Sequence, residues 1–420
     1  MVRRVAMISM HTSPLAAPGV GDAGGLNVYV CSLARALADL DVEVDIFTRA
    51  RTPNVRRVVD LSPGVRVITL PAGPLHAVPK EELPAFVTEF AGAIARFARE
   101  NSLDYDIVHG HYWLSGLVGL RLRGLWQVPL VQMFHTLSRL KSASGVFEAN
   151  EAAGATRARG ESRILSDVDA IVTATAVERR ALLAAYEASA SVVHTIPCGV
   201  DTTLFHAGDA EAARRTLGLL GTRSVVAVGR FDPLKGFDVL LRAAAILCAA
   251  RPELKQAFRV VIVGGSPKSY DGPQEYRNTL LRLADELNLR ENLVLAGPVR
   301  PAELSLYYRA AVACSVPSFY ESFGLTALEA MACATPVIAS AVGGLQLTVH
   351  DGQNGYLVPP GDPAALATSL EALFTNANLR WQLAQGAARS VEPYSWRTIG
   401  ERMLCLYEDL AGQQRIRSTA

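Results

Sequence analysis

Apolar positions along this chain alternate between two rhythms. Short, mostly apolar runs at 5–9, 42–47, 65–70, 107–109, 130–134 and 170–173 are separated by longer stretches, such as 26–40 and 84–101, in which apolar residues recur every three or four positions. The short runs have the length and β-branched content of strands buried on both faces, and the longer stretches have the period of amphipathic helices. Their alternation predicts βαβ units around a parallel sheet. A second series of runs follows at 224–229, 258–264, 293–296, 313–316 and 337–339. The fold class is therefore α/β, with two doubly wound, Rossmann-like domains and an expected cleft between them. The turn-rich segment Ile196-Pro197-Cys198-Gly199-Val200-Asp201 closes the first series and sets the linker at about 200–210. We divide the chain into domains at 1–205 and 206–395, followed by a segment at 396–420 whose helix (398–410) is surplus to the second sheet.

Composition supports this division, since single hydrophobic cores seldom exceed about 250–300 residues and the chain has 420. The charge is almost balanced, with 41 Lys and Arg against 40 Asp and Glu, which argues against nucleic acid as the principal partner. Six scattered cysteines without a C-x-x-C pair read as small buried hydrophobes in a reducing compartment. The first apolar run is too short for a signal peptide, and no run has the length of a membrane span. A cytoplasmic enzyme with small-molecule substrates is the expectation; a peripheral membrane contact and a homodimer stay open.

The most informative string is Pro317-Ser318-Phe319-Tyr320-Glu321-Ser322-Phe323-Gly324-Leu325-Thr326-Ala327-Leu328-Glu329. A polar loop runs straight into a helix, whose first turn offers unpaired amides and the positive end of the dipole. Such a start suits a diphosphate, and a carboxylate one turn inside can accept from a ribose diol. Val228-Gly229-Arg230-Phe231-Asp232-Pro233-Leu234-Lys235-Gly236 places two cations on a turn at the C-terminal edge of the second sheet, where open α/β folds bind ligands. Gly24 and Gly25, opening the 26–40 helix, let backbone approach phosphate.

Competing readings fare worse. Gly19-Val20-Gly21-Asp22-Ala23-Gly24 has the G-x-G-x-x-G spacing of a dinucleotide fold, but it starts nine residues after the first run ends at Met10. The second run also ends in Thr48-Arg49 and not in an acidic residue that would hold a ribose. Asp39/Asp41, Asp104/Asp106 and Asp167/Asp169 are D-x-D pairs at turns or strand edges, and no histidine has metal-ligand spacing. No metal site and no cofactor are expected. Glu321 and Glu329 straddle a loop–helix junction, a poor arrangement for a glycosidase pair, and a hydrolase has no use for Arg230 and Lys235.

Taken together, the E-x-F-G-x-x-x-x-E string and G-R-x-x-x-x-K-G resemble glycosyltransferase family 4, retaining enzymes of the GT-B fold. The resemblance covers nearly the whole chain. It implies a nucleotide-sugar co-substrate, most simply a UDP-sugar, and a final helix that returns to the first domain. Donor contacts carried over are Gly24, Gly25, Arg230, Lys235, Glu321, Phe323, Gly324, Leu325, Thr326 and Glu329, with Arg230, Lys235, Glu321 and His135 in catalytic roles. The N-terminal half is most similar to family members that glycosylate an inositol phosphate, and shares much with sucrose-phosphate synthases. That similarity implies acceptor contacts from His11 and Asn27, with Lys80, Tyr112, Thr136 and Arg157 around the acceptor's phosphate. One departure is Ala334, where the family usually has glycine.

Overall fold

The computed structural model describes residues 1–16, 24–139, 151–265 and 273–419. They form two compact units, one from the chain up to Gly199 together with the segment from Trp396, the other from Val200 to Ser395.

In the first unit, strands β1 (Arg4–Ile8), β2 (Glu43–Arg49), β3 (Val58–Ser62), β4 (Val65–Leu70), β5 (Ile107–His111), β6 (Leu130–Met133), β7 (Ala170–Thr173) and β8 (Val193–Thr195) make one sheet in the order β3-β4-β2-β1-β5-β6-β7-β8. All pairs are parallel except β3–β4, a hairpin closed by Pro63-Gly64. That edge strand is only half-buried, which is why its sequence shows no uninterrupted apolar run. Ala6, Ile8 and Val108 join Phe90, Ile94, Leu114 and Val118 in a core beneath the Val87–Glu100 and Trp113–Trp126 helices. Pro84 falls in a 3-10 turn, Leu83–Phe86, so the helix expected at 84–101 starts properly at Val87, as a proline in the first turn permits.

The last helix, Trp396–Thr419, is longer at both ends than the expected 398–410 and packs against the Gly25–Ala38 helix of this first unit. Gly199 makes room for it, because a Cβ there would meet the Trp396 ring at 2.5 Å. No helix among the described residues is long and apolar enough to cross a membrane.

The second unit holds β9 (Arg223–Val228), β10 (Phe258–Val263), β11 (Leu293–Gly297), β12 (Ala313–Val316), β13 (Val337–Ser340) and β14 (Gly355–Val358), all parallel, in the order β11-β10-β9-β12-β13-β14. Five of these strands were expected; the sixth, β14, is a four-residue edge strand whose short apolar run, Tyr356-Leu357-Val358, was passed over. In each sheet the chain begins at an inner strand, builds one way and then reverses. The reversal falls between β1 and β5 in the first sheet and between β9 and β12 in the second. Loops leaving the C-terminal ends of those strands diverge and leave a crevice there. The loop after β9 carries Arg230 and Lys235, the loop after β12 carries Glu321, and the turns after β1 and β5 carry His11 and Tyr112.

Ala334 ends the Leu325–Ala332 helix in a left-handed conformation, φ +56°, with the Thr335 amide bonded back to the Ala330 carbonyl. That closing position favours glycine, since a Cβ there costs about 1–2 kcal/mol, partly offset by the greater chain entropy of glycine when unfolded. Ala334→Gly is expected to stabilise the protein by about 0.5–1 kcal/mol, raising the thermal midpoint by about 1–4 °C. A midpoint lowered by the substitution contradicts the strain.

Candidate functional site

In the second unit, two loops are locked together before any ligand is considered. Phe319 donates its amide to the Leu234 carbonyl at 2.8 Å, and Gly236 (φ +62°) sits so close to Pro317 that a Cβ would lie 2.1 Å from its carbonyl oxygen. Asp232 caps the short turn of Pro233–Lys235 through the Leu234 amide. Lys235 Nζ consequently reaches Glu321 Oε2 at 2.7 Å, with both side chains partly accessible. Arg230 is looser: its side chain is 47% exposed and 3.3 Å from Asp232.

Behind Glu321, Gly343 (φ +48°) comes so near that a Cβ would stand 1.8 Å from the Glu321 carbonyl oxygen, and Gly344 donates its amide to that oxygen. The sequence reading quoted Gly236 within its motif but passed over Gly343 and Gly344; a G-G pair after an apolar run is the signal that was available. Phe323 is buried, edge-on to Tyr394 at 6.1 Å. Gly324 (φ +97°) caps the Leu325–Ala332 helix, so the amides of Leu325 and Thr326 face outward without intrahelical acceptors. One turn on, Glu329 accepts from the Tyr308 hydroxyl at 2.8 Å. Burial pushes its carboxyl up to about 7, with the Tyr308 hydrogen bond opposing the rise.

In the first unit, three of the residues expected at the acceptor phosphate, Tyr112, Thr136 and Arg157, come together. Arg157, one turn before Glu161 on the Glu151–Asp167 helix, donates Nη2 to the Thr136 carbonyl and to Thr136 Oγ1 (3.0 Å). Its guanidinium lies 5.0 Å above the Tyr112 ring. Tyr112 in turn packs on His11 at 4.3 Å between ring centroids. His11 is held well below its usual pKa first by burial, then by the cations Lys80, Arg51 and Arg157. The same environment includes Arg51, whose guanidinium donates to the His11 carbonyl and which the motifs did not indicate.

Asn27, expected among the acceptor contacts, is engaged within its own loop. It is 2% exposed, donates to Thr12 Oγ1 and the Ser13 carbonyl, and accepts from the Gly24 amide at 3.1 Å. Its amide clamps the loop after β1 onto the start of the Gly25–Ala38 helix. Gly24 is extended, and among the described residues nothing lies within 4 Å of where its Cβ would be.

His135 belongs to a column of histidines that the parallel register dictates. His111 pairs with Met133 across β5–β6, so the two-residue period of the strands brings His109, His111 and, just past the strand end, His135 to one face. His111 Nδ1 lies 3.1 Å from His135 Nε2, and His109 Nδ1 is 2.6 Å from the hydroxyl of Tyr407 on the last helix. Burial drives His109 and His135 down to about 3 and His111 well below its usual value, so the column is uncharged at neutral pH. Both Tyr112 (φ +76°) and His135 (φ +61°) hold backbone conformations that a side chain disfavours. Strain of this kind, of order 1–3 kcal/mol per residue, persists where the surroundings over-determine it, commonly at functional sites. Here the Tyr112 amide is fixed on the Met133 carbonyl at 2.9 Å, and its own carbonyl on Gln132.

Of the acidic pairs, Asp106 accepts the amides of Arg3 and Arg4, and Asp169 holds Arg123 and the Leu130 amide, both structural tasks. Among the described residues no three His, Cys, Asp or Glu side chains gather as they would around a metal ion.

Comparison with known proteins agrees with this arrangement. Residues 24–199 match the glycosyl transferase 4-like domain and residues 209–390 match the glycosyl transferases group 1. A D-inositol 3-phosphate glycosyltransferase from Acidothermus cellulolyticus is 42% identical over 419 residues, covering 99% of this chain and 92% of that protein. The sucrose-phosphate synthase from Thermosynechococcus elongatus superposes with a TM-score of 0.87 at 36% identity, covering 98% of this chain and all of that one. The Anabaena protein HepE, solved with UDP and glucose, shares the fold at a TM-score of 0.75 and 18% identity, covering 98% of this chain and all of that one. The chain belongs to the family 4 glycosyltransferases of the GT-B fold, and it is an enzyme that transfers a glycosyl group.

Proposed function

We propose that this enzyme moves a sugar from a UDP-sugar to a hydroxyl of an inositol phosphate, with retention of anomeric configuration. One observation carries the acceptor half: Arg157, Thr136 and Tyr112 are fixed together at the C-terminal ends of β5 and β6, within the same positive field as Lys80. A guanidinium and a hydroxyl suit a phosphate dianion, whose charge-assisted hydrogen bonds are about twice as strong as neutral ones. The name carried by the Acidothermus relative supports inositol phosphate. The likeness to sucrose-phosphate synthase makes another sugar phosphate the second reading.

On the donor side, Arg230, Lys235 and the first-turn amides of the Leu325–Ala332 helix are the diphosphate ligands in this reading, and Glu329 takes the ribose diol. The UDP and glucose of HepE support UDP as the nucleotide. Glu321, tied to Lys235, is assigned to the sugar and is poorly placed as a free nucleophile, which favours attack from the face the nucleotide leaves. In that step the acceptor oxygen bonds to the anomeric carbon while the bond to the β-phosphate breaks. The departing phosphate oxygen takes the acceptor's proton, and Arg230 and Lys235 stabilise the charge that develops on it. A neutral His135 orients the sugar by hydrogen bonding without repelling the positive charge that builds at the anomeric carbon. Gly24 and Gly25 complete the donor contacts, and His11 lines the acceptor. The enzyme is proposed to work in the cytoplasm, consistent with its free cysteines.

UDP release from a panel of UDP-sugars, measured with EDTA present, is expected with inositol phosphate and to be at least about tenfold slower in kcat/KM with inositol itself, since a lost charged contact is worth about 1.5–3 kcal/mol. Equal values for the two acceptors contradict the acceptor assignment, and a preference for fructose 6-phosphate selects the second reading. Because Glu329 has its pKa raised, it is neutral below about pH 7 and ionised above it. The donor's kcat/KM therefore falls by up to about tenfold per pH unit below that point. Glu329→Gln removes this limb, and an identical pH profile in the variant contradicts the ribose role.

A further inference from the structure

Glu161 is fully buried, and its carboxylate is spoken for on every side. It accepts Arg157 Nε at 2.7 Å, the Ser138 amide at 3.2 Å on both oxygens, and the hydroxyl of Tyr186 from the neighbouring Ala176–Tyr186 helix. Arg157 also binds Thr136, two residues before Ser138. The contacts therefore close a ring: Glu161 to Arg157, Arg157 to Thr136, along the backbone to Ser138, and back to Glu161. A buried carboxylate is costly unless its partners satisfy it, and here two of the three come from the elements that carry Arg157 and Thr136, the third being the Tyr186 hydroxyl.

We infer that Glu161 is the positioning residue that gives the acceptor site its selectivity for phosphate, with Tyr186 as its support; this rests on the acceptor reading above. Glu161 takes the Nε edge of the guanidinium and Thr136 takes Nη2, so Arg157 is held with its remaining N–H groups directed away from the ring, its plane stacked over Tyr112. The same carboxylate fixes the 136–138 connection through the Ser138 amide, setting the Thr136 hydroxyl relative to the guanidinium. The two proposed phosphate ligands, twenty-one positions apart, are thereby held at one spacing. Glutamine in place of Glu161 keeps the shape and an acceptor for Ser138, but it turns an N–H donor toward Arg157 or removes the charge that orients it.

The test is steady-state kinetics on the full-length enzyme with inositol phosphate and with inositol, the wild-type ratio being measured first. Glu161→Gln is expected to raise KM for inositol phosphate by about tenfold or more. Donor KM should stay within about twofold and kcat/KM for inositol should be unchanged, so that discrimination collapses. In an Arg157→Ala background the substitution should add nothing further. Tyr186→Phe, which deletes one hydroxyl, should shift the same ratio in the same direction by a smaller factor, and it serves if Glu161→Gln does not fold. Unchanged discrimination in both variants overturns the inference while leaving the acceptor reading intact, and so does an equal loss with both acceptors. A wild-type enzyme that does not distinguish the two overturns the acceptor reading and this inference with it.

Discussion

A parallel strand cannot be joined to its neighbour by a tight turn; the chain must cross the sheet, and every crossing delivers its outgoing loop to the same edge. In both sheets of this protein the strand order reverses, between β1 and β5 and between β9 and β12, and the candidate site residues sit at those reversals. Arg230, Lys235 and Glu321 leave the ends of β9 and β12, and His11, Tyr112 and His135 leave β1, β5 and β6. The register between β5 and β6 then decides that His111 touches His135 and that the loop bearing Thr136 starts beside Tyr112.

What the sheets place, close packing then fixes. Gly236 against Pro317 and Gly343 against Glu321 are contacts with no room for a side chain, and they hold the Lys235 and Glu321 loops in register before substrate arrives. In the other unit a buried ion pair plays that part, with Glu161 linking Arg157 to the connection that carries Thr136. Groups aimed in advance do not have to reorganise when charge moves, and electrostatic catalysis and selective binding both depend on that economy. The strain at Tyr112 and His135 fits the same pattern, since each holds an unfavourable backbone angle at the end of a strand.

The parallel sheets were legible in the sequence because strands buried on both faces leave apolar runs. β3 and β8 left none, one being a half-exposed edge strand and the other three residues long, and β14 left only the short run Tyr356-Leu357-Val358. The second-unit motifs were legible because consecutive residues carry them, so the Lys235 and Glu321 loops could be named in advance. Arg51, Glu161, Gly343 and Tyr407 were not, since they matter through partners distant in sequence: the His11 carbonyl, the 136–138 connection, the Glu321 backbone and His109. Asn27 shows a further role that the motif did not announce, since its amide ties the loop after β1 to the helix that follows.

The central claim is that Arg157, Thr136, Tyr112 and Lys80 form a phosphate-reading site in an enzyme of glycosyl transfer. The most direct measurement is a phosphorus NMR titration of inositol phosphate with the wild-type protein in the presence of UDP. The account predicts that the phosphate resonance shifts or broadens in a saturable way with the wild-type enzyme, and that Arg157→Ala abolishes the effect while UDP itself still binds. A resonance that saturating wild-type enzyme leaves unmoved, or that Arg157→Ala perturbs equally, contradicts it.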